Sequence, residues 1–137
     1  MGGESNRKIF TFQKRVIRVM AGVNSRTSCR QLFKELNILT LSSLYTLEVT
    51  CFLKSYCQSL ELNANVHNHD MQRKMDIHIK SHRTNLHKNS VINMGSIIYN
   101  KLLDHLKEID SFKVFKRKLK LFLLLHNFYS VEEFLSS

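Results

Sequence analysis

The sequence contains no proline and only four glycines in 137 residues, although average usage would give roughly seven prolines in a chain of this length. A chain without helix-breaking residues favours helices and argues against a sandwich of short strands. The glycines stand at positions 2, 3, 22 and 95. They form no glycine-rich phosphate loop and no dinucleotide-binding fingerprint, and no serine nucleophile elbow is present. The sequence therefore predicts no catalytic residue, no cofactor and no small-molecule substrate.

Cysteines and long apolar runs are also scarce. The three cysteines are too few and too irregularly spaced for a disulfide framework, which predicts a reducing compartment. No apolar stretch follows the charges at the N-terminus, so no secretion signal is predicted. The longest uninterrupted apolar run, residues 121–125, is far shorter than the roughly 20 residues that span a bilayer. We therefore expect an intracellular protein, in the nucleus or cytoplasm, without a membrane partner.

Acidic residues are few relative to basic ones. Eleven Asp and Glu stand against 21 Lys and Arg, which gives a formal net charge of +10. Such an excess indicates a polyanionic partner, most often the backbone of RNA or DNA and less often an anionic membrane surface. A basic surface that is merely solvated is the alternative. The acids are scattered, and Asp70 and Asp76, the closest to a metal-binding pair, lie among cations where local ion pairs are expected.

Hydrophobic periodicity predicts a mainly α fold, a small helical bundle with a long basic loop between the helices and room there for a short β-ribbon. Residues 1–8 are predicted as a flexible N-terminus and 9–62 as an N-terminal helical segment. Residues 63–93 are predicted as a basic, histidine-rich loop and 94–137 as a C-terminal helical segment. Within these segments, residues 41–56 are apolar almost all round and are predicted to form the buried central helix.

The first predicted helix, residues 7–23, is amphipathic. We expect its buried side to carry six apolar residues: Ile9, Phe12, Val16, Val19, Met20 and Val23. The opposite side carries five cations: Arg7, Lys8, Lys14, Arg15 and Arg18. Because no acid lies within residues 7–23, these cations repel one another, which favours an anion bound against them.

The other helices continue this pattern. A short helix is expected over residues 28–36, and Ile98, Leu102, Leu106 and Ile109 predict one side of a helix after Gly95. Ser111 and Ser130 are predicted to cap the last two helices. The helix after Ser111 has two predicted buried stripes: Phe112, Phe115, Leu119, Phe122 and Leu123 in one, and Val114, Leu121 and Leu125 in the other. A cationic strip lies between these stripes.

Five histidines and five Lys or Arg residues crowd residues 67–88. A zinc site needs four converging nitrogen or sulfur ligands, usually in close pairs. His78 and His82 are four residues apart and His67 and His69 two apart, but no cysteine lies nearby and no carboxylate separates the first pair. A catalytic histidine would need an oriented partner and a nucleophile, which no spacing provides. We therefore predict that this segment contacts phosphate oxygens and holds no metal, with a small zinc module as the alternative.

Basic side chains on the two amphipathic helices and in the loop are thus the candidate nucleic-acid-binding residues. They are Lys14, Arg15, Arg18, Arg73, Lys74, Lys80, Arg83, Lys88, Lys113, Lys116, Arg117 and Lys120.

Six blocks follow one another along most of the chain. They are FQKRVIRVMAG (residues 12–22), CRQLFKELNILTLSSLYTLE (29–48), HNHDMQRKMDIH (67–78), MGSIIYNKLL (94–103), FKVFKRKLKLFLL (112–124) and FYSVEEFL (128–135). In this order they resemble the C-terminal region of the reverse transcriptases of non-LTR retrotransposons, of the jockey-like type common in arthropods. The chain departs from the family at Met71 and Gln72, where Thr-Arg is usual, and at Thr40 and Leu103, where proline is usual.

The resemblance implies a region that follows the polymerase palm and holds template and primer, with residues 9–62 as a thumb-like segment. The palm of such enzymes carries the catalytic aspartates, and no Tyr-or-Phe-x-Asp-Asp motif occurs in this chain. It implies a non-catalytic C-terminal fragment of an RNA-directed DNA polymerase that contacts the nucleic-acid backbone and has the palm as a second partner. The missing prolines and the missing catalytic core indicate a degenerate relic or a shortened reading frame. The alternative is a structural or interaction role, in which the helices pack on a protein such as the palm and the charge is incidental.

Overall fold

The part of the chain that the structure describes is built from seven helices. The computed structural model describes residues 3–56, Ile77 and residues 91–137. The helices are α1 (Gly3–Ala21), α2 (Arg30–Glu35), α3 (Leu41–Tyr56), α4 (Val91–Lys101), α5 (Asp104–Lys107), α6 (Phe112–His126) and α7 (Val131–Ser136). No strand occurs within these ranges, so the prediction of a mainly α, small helical bundle is confirmed for the described residues.

Some helix boundaries differ from those expected. The central helix occupies the predicted residues 41–56, but α1 begins at Gly3 and thus includes residues 3–8, which were expected to be flexible. Helix α4 begins at Val91, inside the predicted basic loop. The rest of the predicted loop lies outside the described residues except for Ile77, and so does the β-ribbon predicted within it.

The predicted helix after Gly95 is interrupted before α5. Leu102, Leu106 and Ile98 are buried as expected, whereas Leu103 is 47% exposed and has an extended backbone, with φ −63° and ψ 141°. This φ is the one that a proline ring imposes. The helix therefore breaks at Leu103 without a proline.

The structure separates into two compact units. The first comprises Met1–Leu47 and Arg117–Ser137, and the second comprises Glu48–Lys116. Because the boundaries fall inside α3 and α6, each of these two helices contributes residues to both units.

The core of the first unit forms around α2. Its buried residues are Ile17, Cys29, Leu32 and Phe33, and the partly buried residues packed on them are Phe10, Ala21, Val23, Leu36, Ile38 and Tyr129. The rings of Phe10 and Tyr129 meet edge to face at 4.9 Å between centroids, and both lie within 6.4 Å of the Phe33 ring. Such aromatic contacts add to the free energy gained by burying the rings.

Hydrogen bonds between distant residues fix the helix ends in the first unit. Thr40 caps α3, since its hydroxyl oxygen accepts from the Ser43 amide at 3.2 Å, and its hydroxyl donates to the Phe128 carbonyl. The Gln13 side chain joins α1 to this cap by donating to the Leu39 carbonyl and accepting from the Leu41 amide, both at 3.0 Å. One face of α1 is thereby held against the start of α3.

In the second unit, α4 packs closely on α3. A Cβ at Gly95 would lie 2.7 Å from side-chain atoms of both Leu53 and Val49, so the helices approach more closely there than an alanine allows. Asn100 of α4 also binds the backbone of Ile77, accepting from its amide at 2.8 Å and donating to its carbonyl at 2.9 Å. With its side chain 2% exposed, Ile77 is a buried anchor point within the predicted basic loop.

Candidate nucleic-acid interface

Helix α6 is oriented by its buried apolar residues. Phe115, Leu119 and Leu123 recur every four residues, and all three are fully buried. The Ser111 hydroxyl stands at the predicted cap, 3.5 Å from the Val114 amide. The buried residues fix the rotation of the helix. Near its C-terminal end the buried surface also includes Leu124, which follows Lys120 by four residues and Arg117 by seven.

The cation strip of α6 consists of Lys113, Lys116, Arg117 and Lys120. At spacings of three, four and seven residues, they lie on one side of the helix. Lys113, Arg117 and Lys120 are exposed, and none forms an ion pair with any residue that the structure describes. Lys116 is half-buried, with its ammonium 3.6 Å from the Glu48 carboxylate. Three of the four predicted cations of this helix are thus available to an external anion.

The second predicted apolar stripe of α6 is not buried, so this prediction is wrong. Leu121 and Leu125 are each 60% exposed, and Phe112 of the first stripe is 43% exposed. Leu119, Leu123 and Leu124 are the buried leucines of this helix, and its remaining leucines are left in water.

The prediction for α1 is wrong in orientation for five of the six apolar residues, and it is confirmed for Val23, which packs against the core. The side expected to be buried is exposed, with Ile9 at 53%, Phe12 at 66% and Val19 at 80% of their full exposure. The residue of α1 that is buried is Ile17, which packs with Phe10 in the core of the first unit. Aromatic packing and the hydrogen bonds of Gln13 therefore outweigh the larger apolar area of the other side.

Because of this orientation, the three predicted cations of α1 differ in their exposure to solvent. Lys14 and Arg18 are partly buried, and the Lys14 ammonium lies 4.8 Å from the centre of the Phe10 ring. The Arg18 Nε donates to the Thr27 carbonyl at 2.8 Å. Arg15 is exposed and has no ion-pair partner in the described part of the chain. Of the three, only Arg15 is therefore as open to a ligand as the sequence predicts.

Charge balance on α1 also differs from expectation. The helix includes Glu4, whose carboxylate lies 3.2 Å from the Lys8 ammonium four residues later. Both side chains are largely exposed, so the pair contributes little stability. The observed helix thus carries one acid that the predicted helix, residues 7–23, did not include.

The remaining predicted cations, Arg73, Lys74, Lys80, Arg83 and Lys88, lie outside the described residues, as do all five histidines of residues 67–88. Within the described ranges, no group of three or more His, Cys, Asp or Glu side chains is arranged to hold a metal ion. Cys29 and Cys51 are free and buried, and burial raises the pKa of the Cys51 thiol. Cys51 therefore packs as a small hydrophobic residue.

Two charged features were not predicted. The first is Lys118, which is exposed on a different side of α6 from the cation strip. The sequence could have indicated this exposed cation, because the helix contains no acid to pair with it. The second is a contact between α2 and α7, where Arg30 lies 2.7 Å from the Glu133 carboxylate and stacks on the Tyr129 ring. The hydrogen bond from Arg30 holds the pKa of Glu133 below its ordinary value. More than a hundred residues separate this pair, so no local pattern indicates it.

No protein-family model, curated protein or solved structure matches this chain. The reverse-transcriptase resemblance therefore remains a prediction. None of the helices in the described ranges has the length and apolar character needed to cross a membrane.

Proposed function

We propose that the chain binds the backbone of RNA or DNA through the cation strip of α6, as a non-catalytic C-terminal fragment of a retroelement reverse transcriptase. The observation that carries the proposal is the composition of α6. Its 15 residues include five Lys or Arg and no Asp or Glu. Like charges at three- and four-residue spacings destabilise a helix, and an anion along the strip removes that cost.

The length of the strip suits a phosphodiester backbone. Lys113 and Lys120 are seven residues apart, which is about 10 Å along a helix that rises about 1.5 Å per residue. One strand of a duplex carries a phosphate about every 3.4 Å of axis, so this length covers about three phosphates. Three exposed cations face about three negative charges, and no base edge needs to be read.

Salt dependence gives the magnitude of the expected effect. Each neutralised phosphate contributes about −0.9 to the slope of log K against log salt for duplex DNA, and about −0.7 for a single strand. Three contacts therefore weaken binding roughly 20- to 40-fold between about 50 and 200 mM salt. A protein that docks through apolar contacts alone would lose little over this range.

The test replaces Lys113, Arg117 and Lys120 together by Ala in the full chain. We expect fluorescence anisotropy with labelled RNA and DNA to show weaker binding. The slope of log K against log salt should become less negative by about two to three. The matched control replaces three other exposed cations, Arg26, Lys34 and Lys101, and thus removes the same charge elsewhere. Equal losses in both variants, or no loss in the first, would refute binding through α6.

A role in protein interaction is the second candidate, and the exposed apolar side of α1 favours it. The two candidates use different helices. Binding to nucleic acid and binding to a protein are therefore separable by substitution.

A further inference from the structure

Four apolar residues of α1 form an exposed seam: Ile9, Phe12, Val16 and Val19. Their exposed fractions are 53%, 66%, 41% and 80%. Single exposed apolar residues are ordinary, but a continuous row on one helix marks an interaction surface. This row lies on the side of α1 away from Ile17, so the core of its own unit leaves it uncovered.

The spacing of the seam identifies the shape of its occupant. The intervals are three, four and three residues, which are the a and d positions of a heptad repeat. Over its ten-residue step from Ile9 to Val19, the seam extends about 15 Å. Four of the five exposed large apolar residues of α1 lie at a and d positions, which is the contact of one helix with another. The fifth, Met20, is 57% exposed and widens the apolar surface beside Val19.

The residues beside the seam identify the charge of its occupant. Lys8 and Arg15 directly precede Ile9 and Val16, at the g positions, while Gln13 and Met20 hold the neutral e positions. Charges at these flanking positions select partners of opposite sign. Glu4 is the one acid of α1, and its exposed contact with Lys8 is easily exchanged. A second copy of this chain would bring the same excess of cations, so an acidic partner is favoured.

We propose that the α1 seam docks an acidic amphipathic helix of a partner protein. Large apolar residues of that helix fill the seam, and its Glu or Asp side chains pair with Lys8 and Arg15. The proposal does not rest on nucleic-acid binding, because it uses none of the α6 cations. In this proposal the four apolar side chains of the seam are exposed to water only while the partner helix is absent.

Two synthetic heptad peptides test the proposal with the full chain. Both carry Leu at a and d positions, and they carry either Glu or Lys at e and g. We expect fluorescence anisotropy at low salt to detect binding of the Glu peptide, with the Lys peptide weaker by about tenfold or more. Replacing Phe12 and Val16 together by Ser should abolish binding without unfolding, since both side chains are exposed. The matched control, Val91→Ser with Ile92→Ser on α4, removes two exposed apolar residues elsewhere and should leave binding unchanged.

Charge reversal gives the decisive result. The variant with Lys8→Glu and Arg15→Glu should prefer the Lys peptide, because the flanking charges then attract the opposite sign. The proposal is overturned if neither peptide binds or if both bind equally. Light scattering that detects a dimer, lost in the Phe12 and Val16 double variant, would make the occupant a second copy. Binding to phosphatidylserine vesicles with the same loss, and none to the peptides, would make it a lipid surface.

Discussion

Gly95 on α4 provides a stability prediction in which two opposing effects can be weighed. A Cβ added at this position would lie 2.7 Å from Leu53 Cδ1 and 2.7 Å from Val49 Cγ1. Carbon atoms pack best at about 3.5–4.0 Å, so both contacts are strongly repulsive. Leu53 and Val49 are 1% and 6% exposed, which leaves neither side chain free to move into solvent.

The magnitudes favour destabilisation by Gly95→Ala. Alanine is the better helix former by about 0.8–1.0 kcal/mol. Overpacking a filled core costs about 1–3 kcal/mol. Leu53 meets the new methyl with its Cδ1 and also, at 3.1 Å, with its Cγ. Val49 is β-branched and stiff about χ1 in a helix. The cost should therefore lie in the upper part of that range, and we expect a net loss of about 1–2 kcal/mol.

Urea unfolding followed by circular dichroism measures this free energy, and a double-mutant cycle isolates its cause. Val49→Ala removes the methyl groups that clash, so it should be less harmful in the Gly95→Ala background than in the wild type. We expect a coupling free energy of about 1 kcal/mol or more between the two changes. If Gly95→Ala is as stable as the wild type, or if the two losses simply add, the close packing of α3 on α4 described above is wrong.

Two further predictions concern the first unit. Leu119→Ala should cost about 2–5 kcal/mol because the side chain is fully buried. Leu121→Ala, at an exposed site, should change the free energy of unfolding by less than about 0.5 kcal/mol. Equal effects in urea unfolding would contradict the burial of Leu119 and the exposure of Leu121. Arg30 lowers the pKa of Glu133 below 4.5, so this pair stabilises the fold fully above pH 4.5 and progressively less as the pH falls through the lowered pKa. Since both side chains are partly exposed, the contribution is at most about 1 kcal/mol. Glu133→Gln should flatten the stability profile below pH 4.5, and coincident profiles of variant and wild type would rule the pair out as a source of acid sensitivity.

Local sequence patterns were sufficient to predict the positions of several helices. The apolar run of residues 41–56 gave both ends of α3, and Ser130 caps α7 as predicted by accepting from the Glu133 amide at 3.1 Å. Capping and periodicity are properties of neighbouring residues, so a sequence displays them directly. The cation strip of α6 was visible for the same reason, since its spacing and the lack of acids are local features.

Orientation and pairing depend on distant residues, and there the sequence was misleading. Tyr129, more than a hundred residues away, meets the Phe10 ring edge to face and helps to set which side of α1 is buried. The periodicity of α1 favoured its other side, where more apolar residues lie. Similarly, Lys116 forms an ion pair with Glu48 of α3 and is therefore less available to an external anion. Neither contact follows from the pattern of a single helix, because each depends on which elements meet in the folded chain.

The charges of α1 and α6 therefore have different consequences, although each helix carries five of the 21 Lys and Arg residues. On α1 three of the five have partners within the chain: Lys8 with Glu4, Lys14 with the Phe10 ring and Arg18 with the Thr27 carbonyl. On α6 only Lys116 forms an ion pair within the described residues. Each helix thus pairs one of its five cations with an acid, and uncharged groups of the chain engage two further cations on α1. An external polyanion would therefore bind more favourably to α6 than to α1. Helix α1 instead exposes apolar side chains, which a partner helix would bury.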